Sequence, residues 1–183
     1  MKQRWALVVM GAWLMGSICM SIVATENFYT IDRLLAGSPN AAFATMVQKL
    51  GQPAARDLLR YLSSELNRLY FQVWNVAQLG LGVAMLWLLA GPAEPDPAYT
   101  SRTRSGVMAM LVTVVLMLGY LTPAIVSLGR ELDFVPRDPA PAGMQRFWIL
   151  HAGYTSLEML KLVVGLVVVA RIPVGSRLAR GSR

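Results

Sequence analysis

Four apolar runs, each long enough to cross a lipid bilayer, constrain the fold of this chain more than any other feature. They cover residues 5–24, 69–90, 106–128 and 147–170. A helix needs about 20 apolar residues to cross a hydrocarbon core roughly 30 Å thick. Inside these runs the only charged residues are Glu158 and Lys161. The sequence therefore predicts an all-α fold, a four-helix transmembrane bundle that forms a single membrane domain over residues 1–183.

Composition and charge agree with a membrane protein and disfavour a soluble one. Charged residues make up 15% of the chain, against roughly 25% in soluble domains. The net charge of +7 comes from Lys and Arg that stand largely in short segments beside the apolar runs. This distribution is typical of orientation signals and of contacts with anionic lipids. We therefore expect membrane lipids as partners and no nucleic acid.

The first apolar run has two readings, an uncleaved helix or a signal peptide. Lys2 and Arg4 precede it, as they would in a signal peptide. Cleavage after Ala24, however, would place Ile22 where a small residue is required. The run is also longer than an ordinary signal core, so we expect a retained helix.

The long first loop, residues 25–68, carries a helical pattern in its second half. Leucines recur there at helical spacing, and Pro53 suits the first turn of a helix. A helix over 53–90 would be about 57 Å long, so it predicts an amphipathic helical extension that projects beyond the hydrocarbon core. A short helix over 41–50, ended by Gly51, is expected beside it. The loops over 91–105 and 129–143 are rich in proline and predicted to be irregular, and the tail after Arg171 is predicted to be frayed.

The basic residues also predict an orientation. The N-terminus, second loop and C-terminal tail carry eight Lys and Arg, and the two remaining loops carry eight in a much longer stretch of chain. The greater density beside the spans favours the first side as cytoplasmic. We expect a multi-pass protein of a bacterial inner membrane, with both termini in the cytoplasm.

Polar residues within the fourth run form the main chemical signal. His151, Tyr154, Glu158 and Lys161 fall within an arc of about 80° on a helix. Ionisable side chains in hydrocarbon are costly and usually face the interior of a bundle. The stripe is therefore either a structural pair with a hydrogen-bonded histidine, or a proton relay or small polar ligand site.

The second run carries a matching polar stripe. Asn67 and Gln78 share one face of the helix and Asn75 lies at its edge. Amide side chains in membrane helices commonly form hydrogen bonds to a neighbouring helix. We predict that this face pairs with the fourth helix, giving a polar seam between the second and fourth spans.

Two further features bear on packing. Ala12 and Gly16 are small residues four apart in the first run, a spacing that permits close approach of another helix. In the third run, Pro123 frees a backbone carbonyl and can kink the helix, with Thr122 or a neighbour compensating.

Several kinds of chemistry lack their residues. The single His and the single Cys19 cannot build a zinc site. The sequence holds no glycine-rich phosphate loop and no G-x-S-x-G elbow. We expect no catalytic residues, no cofactor and no metal, and hence no enzyme.

The order of these features resembles the bacterial domain-of-unknown-function 4149 family, which is related to transmembrane protein 205-like proteins. The segments that carry the resemblance are "YLTPAIVSLGRE" at the end of the third run and "FWILHAGYTSLEMLKLVVGL" in the fourth, with "LSSELNRLYFQVWNVAQLGLG" and "ATENFYTIDRLLA" as further matches. The resemblance implies a four-helix membrane protein in which Thr122, Pro123 and His151 are family features. It implies no mechanism, because no activity is established for the family.

The sequence thus favours a non-enzymatic multi-pass inner-membrane protein with a structural or partner-binding role. Its expected partners are lipids, a second copy of itself or another membrane protein. The alternative is a small transporter or proton-coupled carrier that uses His151, Glu158 and Lys161.

Overall fold

A computed structural model describes residues 2–90 and 97–172, with side chains from residue 101 onward in the second part. Within these residues the chain forms α-helices and no strand. The helices are α1 (Lys2–Gly37), α2 (Ala41–Leu50), α3 (Gln52–Leu88), α4 (Pro97–Leu116), α5 (Thr122–Glu131) and α6 (Met144–Arg171), and a π-helical turn (Met117–Leu121) joins α4 to α5. The prediction of an all-α fold is confirmed.

Four of these helical units are long and apolar enough to cross a membrane. They are α1, α3, the continuous stretch Ser101–Glu131, and α6. Their outward surfaces carry large aliphatic side chains; Val83, Val112 and Val163, for example, are 63%, 62% and 57% exposed. Such surfaces are typical of helices that face lipid. The chain is accordingly a four-helix membrane-type bundle.

Helix α1 is longer than the first predicted span, because it continues from residue 24 to Gly37. No Pro or Gly interrupts residues 25–36. Ile31 and Leu35 lie in this part and pack against Ala55 of α3. This contact gives the end of α1 a buried face. Residues 25–37, which were predicted to lie in the first loop, are therefore helical.

The predicted helical extension of the first loop is confirmed. Asn40 caps α2 by accepting a 2.8 Å hydrogen bond from the backbone N–H of Phe43. Gly51, at φ +81°, turns the chain from α2 into α3, a left-handed conformation that glycine adopts at little cost. With 37 residues, α3 is about 55 Å long. We refer to the end of the bundle that carries α2 as the α2 end, and to the opposite end as the terminal end.

The proline in the third span lies directly after a local widening of the helix. At the π-helical turn, the backbone N–H of Thr122 donates to the carbonyl of Met117, five residues earlier. Pro123 then occupies the first turn of α5, where its missing N–H is tolerated. Turns of this kind add a residue to the helix and are frequent at functional sites.

Two apolar clusters pack the bundle on either side of its middle. The larger one lies toward the terminal end and includes Met10, Met85, Met110 and Val168. The smaller one lies toward the α2 end and contains Met117, Leu121 and Tyr154. Polar side chains are buried between these two clusters.

The second loop differs from its prediction where it can be described, because residues 97–105 already belong to α4. Its other residues, 91–96, lie outside the described part of the chain. So does the tail over 173–183, for which the sequence predicted fraying.

Candidate functional site

The charged residues of the fourth span form a buried ion pair one helical turn apart. The Nζ atom of Lys161 donates hydrogen bonds to both carboxylate oxygens of Glu158, at 2.8 and 2.7 Å. The side chain of Lys161 is 0% exposed and that of Glu158 is 8% exposed. The two opposite charges therefore neutralise each other inside the bundle, where neither is well solvated.

Helix α3 contacts this pair through Gln78. The side-chain oxygen of Gln78 accepts hydrogen bonds from Lys161 Nζ and, at 2.9 Å, from the indole N–H of Trp13 in α1. Its amide nitrogen donates to the Oδ1 atom of Asn75 at 3.2 Å. Gln78 is fully buried, so this one amide joins α1, α3 and α6.

Asn75 extends the contacts to the third span. Its Nδ2 atom donates to the Thr122 hydroxyl at 2.9 Å, and its Oδ1 atom accepts from the Tyr154 hydroxyl at 3.2 Å. Thr122 stands at the junction of the π-helical turn and α5. All four spanning units thus contribute to one set of buried polar side chains. We call this set the central polar network; it consists of Trp13, Asn75, Gln78, Thr122, Tyr154, Glu158 and Lys161.

The structure brings together five of the seven residues predicted for the polar seam, namely Tyr154, Glu158, Lys161, Gln78 and Asn75. Asn67 is not among them. Its amide donates to the Ala24 carbonyl at 2.9 Å and accepts from Asn27 at 2.6 Å. This amide therefore joins α3 to α1 rather than to α6.

His151 also lies apart from the central polar network. Its side chain is exposed and stacks on the ring of Phe147, with ring centroids 5.8 Å apart and planes inclined by 21°. Trp148 meets it edge-on at 6.0 Å. His151 thus belongs to an aromatic group near the start of α6.

Sequence reasoning missed the contribution of Trp13. The residue stands in an apolar run and reads there as one more hydrophobic side chain. Its indole N–H could have indicated the contact, since a buried Trp N–H usually finds an acceptor. Thr122 was expected as a compensating group for Pro123 and as a feature of the resembled family, and its hydroxyl is in addition an acceptor for Asn75.

Two buried polar atoms close to the crossing of α1 and α3 have no hydrogen-bond partner among the described residues. They are the hydroxyl of Ser17 and the indole N–H of Trp74. The Trp74 ring lies over Gly16, so closely that a Cβ on Gly16 would be 2.0 Å from a ring carbon. Gly16 therefore permits the close approach of the two helices that the small-residue spacing predicts.

The described residues hold no cluster of metal ligands, and the donors of Lys161 are all engaged within the network. Within residues 2–90 and 97–172, no group of three His, Cys, Asp or Glu residues could hold a metal ion. The ammonium group of Lys161 has three N–H donors, and three hydrogen bonds to Glu158 and Gln78 engage them. This group can hold helices together without any further ligand.

No family model matches the chain, and no curated protein or solved structure is similar to it. The resemblance to the domain-of-unknown-function 4149 family therefore stays a prediction from the sequence.

Proposed function

We propose that this chain is a non-enzymatic, multi-pass inner-membrane protein whose central polar network holds its four spans in one fixed arrangement. The observation that carries the proposal is the complete enclosure of Lys161 together with the engagement of all its donors. The fixed bundle would present its outer surfaces to lipids, to a second copy or to another membrane protein. Family membership and an orientation with cytoplasmic termini are parts of the same proposal.

The hydrogen-bonding of the ion pair supports a structural role. A group that binds and releases a ligand needs a donor or acceptor that the protein leaves available. In the network Lys161 has no N–H left for a ligand, because Glu158 and Gln78 accept from all three of its donors. Breaking a buried ion pair by removing one partner is strongly destabilising, whereas replacing both partners by apolar residues is often tolerated.

The difference between removing one partner of the ion pair and replacing both can be measured. We expect Glu158→Gln to lower the thermal stability of the purified protein in mild detergent, because the Lys161 charge would lose its partner. The double change Glu158→Leu with Lys161→Leu should recover much of that loss. Glu26→Gln is the matched control, since it breaks an ion pair with Arg33 whose side chains are 52% and 66% exposed.

The result that contradicts a structural couple is equal damage by the single and the double change. A stability loss from Glu26→Gln as large as that from Glu158→Gln would also contradict it, because exposed ion pairs contribute little.

A second candidate, the small proton-coupled carrier, draws support from the unpartnered buried atoms of Ser17 and Trp74. Buried polar groups without partners require an explanation, and a small polar substrate would supply hydrogen bonds to them. This candidate is tested in proteoliposomes with a pH-sensitive dye. A pH-dependent flux that is present in the wild type and lost in Glu158→Gln or Ser17→Ala would favour the carrier over the structural role. Absence of flux in the wild type would favour the structural role.

A further inference from the structure

An open cavity of about 430 Å³ lies at the α2 end of the bundle, away from the central polar network. Tyr61 and Glu65 of α3, Arg130 of α5, and Asp133 and Phe134 in the turn after α5 line it. Its volume falls within the range of sites for small ligands. Neither the ion pair of α6 nor any other residue of the network contributes to its walls.

Measured from the ends of the apolar runs, two walls of the cavity, Glu65 and Arg130, lie at the depth of lipid headgroups. Glu65 precedes the second apolar run by four residues, and Arg130 follows the third run by two. At 1.5 Å per residue, these positions are about 3 to 6 Å beyond the hydrocarbon core. The headgroup region on each side of a bilayer is about 5 to 7 Å thick. Tyr61 precedes the second run by eight residues, about 12 Å, so the cavity extends from headgroup depth at Glu65 and Arg130 outward to Tyr61.

Charged side chains of both signs surround the cavity, and they differ in how firmly ion pairs fix their positions. Arg68, with a side chain 11% exposed, donates to Glu65 at 2.5 Å and to Asp133 at 2.9 Å. It fits there because Gly129 leaves room for its guanidinium group; a Cβ on Gly129 would be 3.1 Å from an Arg68 nitrogen. Arg68 thereby fixes both carboxylates at the cavity wall.

Arg130 is the loosely held charge. Its side chain is 62% exposed, and its only ion pair among the described residues is a 3.5 Å contact with Glu65. A guanidinium group so placed retains donors for an incoming anion, and arginine binds phosphate through paired hydrogen bonds. The cavity thus offers a cation for a phosphate beside carboxylates for a positive group.

Two aromatic rings complete the cavity. The rings of Tyr61 and Phe134 lie 5.1 Å apart, inclined by 37°. Phe134 is 59% exposed and has a φ of +60°, a left-handed conformation that is unusual for a bulky side chain. Backbone strain of this kind clusters at ligand-binding sites. Aromatic faces near carboxylates are a typical environment for an organic ammonium group.

We propose that this cavity binds a phosphate–amine zwitterion of the phosphoethanolamine type. Arg130 receives the phosphate, and the ammonium group lies against Tyr61 and Phe134 next to Glu65. The zwitterion has two sources, the headgroup of a phospholipid or a free phosphoethanolamine. The site does not depend on the structural role of the central polar network.

The experiment measures lipid binding to the purified full chain by native mass spectrometry in mild detergent. We expect phosphatidylethanolamine to bind about tenfold more tightly than phosphatidylglycerol, which has the phosphate but no amine. Arg130→Gln and Phe134→Gly should each weaken that binding by about tenfold. Arg33→Gln is the control, since it removes an exposed arginine at the same end that does not line the cavity.

Competition distinguishes the two sources. If soluble phosphoethanolamine at millimolar concentration displaces the lipid, the headgroup alone suffices; if it does not while phosphatidylethanolamine still binds, the acyl chains are required, and both results support the site. Equal or tighter binding of phosphatidylglycerol would overturn the proposal, as would unchanged affinity in both cavity variants. The folded state of each variant is checked by its thermal stability, and Tyr61→Leu serves in place of any variant that fails to fold.

Discussion

Replacing Gln78 with leucine removes the amide that joins three helices while nearly conserving side-chain volume. Three hydrogen bonds are lost, to Trp13, Lys161 and Asn75. Lys161 keeps Glu158, and the Oδ1 atom of Asn75 keeps Tyr154. The Trp13 N–H, in contrast, loses the one acceptor found for it among the described residues. The substitution therefore leaves two buried donors without an acceptor, the Trp13 N–H and one N–H of Lys161, and removes one hydrogen bond to Asn75.

The magnitude follows from these losses. Hydrogen bonds between membrane helices contribute about 0.6 kcal/mol each on average, and a stranded buried donor costs about 1–3 kcal/mol. We expect Gln78→Leu to lower the free energy of unfolding by about 3–6 kcal/mol. The assay is equilibrium unfolding in mixed micelles of a mild detergent and SDS, followed by circular dichroism.

Gln72→Leu is the matched control, because Gln72 is an exposed glutamine on the same helix. Adding Trp13→Phe removes the indole N–H that Gln78→Leu leaves without an acceptor. The two changes together should therefore lower the free energy of unfolding by less than the sum of the single changes, by about 1 kcal/mol or more. If Gln78→Leu unfolds at the same SDS fraction as Gln72→Leu, the network does not hold the bundle together.

Three other outcomes are expected. Gly16→Ala should lower stability by about 1–3 kcal/mol in the same unfolding assay, because its Cβ would overlap the Trp74 ring, whereas Gly11→Ala, with no atom within 4 Å of the new Cβ, should not; equal effects would contradict the close approach. His151→Asn should change stability by less than about 0.5 kcal/mol, since the ring is exposed, and should cause no proton leak in proteoliposomes. Reporter fusions after Arg183 should indicate the cytoplasm and those at Ala140 the opposite side, and reversed signals would overturn the orientation.

The fold was predictable where the sequence carries long, uninterrupted patterns. The four apolar runs and the leucine spacing after Pro53 indicate helices directly, because burial in lipid leaves helices as the favoured spanning structure. The continuation of α1 past residue 24 was missed because its reason is tertiary. Ile31 and Leu35 gain a partner only once α3 returns beside them.

The candidate site was predictable from helical periodicity only in part. A helical wheel gives the direction of a side chain around the axis, but not what lies opposite it at each depth. Lys161 meets Gln78 of α3 and holds Glu158 beside it, whereas His151, on the same stripe, packs against aromatic rings of its own helix. Asn67 likewise meets α1. Trp13 was missed because its indole carries a single polar atom on a large apolar ring.

The π-helical turn at Met117–Leu121 determines which insertions and deletions the third span tolerates. The turn acts as a one-residue insertion, and each residue rotates a helix by about 100°. Removing one residue at the turn would restore a regular α-helical turn and leave α5 close to its present rotation. Removing one residue from the regular part of α4 would instead rotate α5 relative to the start of α4 and carry the Thr122 hydroxyl away from Asn75. In this protein the third span therefore tolerates a one-residue deletion at Met117–Leu121 better than a deletion anywhere else before Thr122.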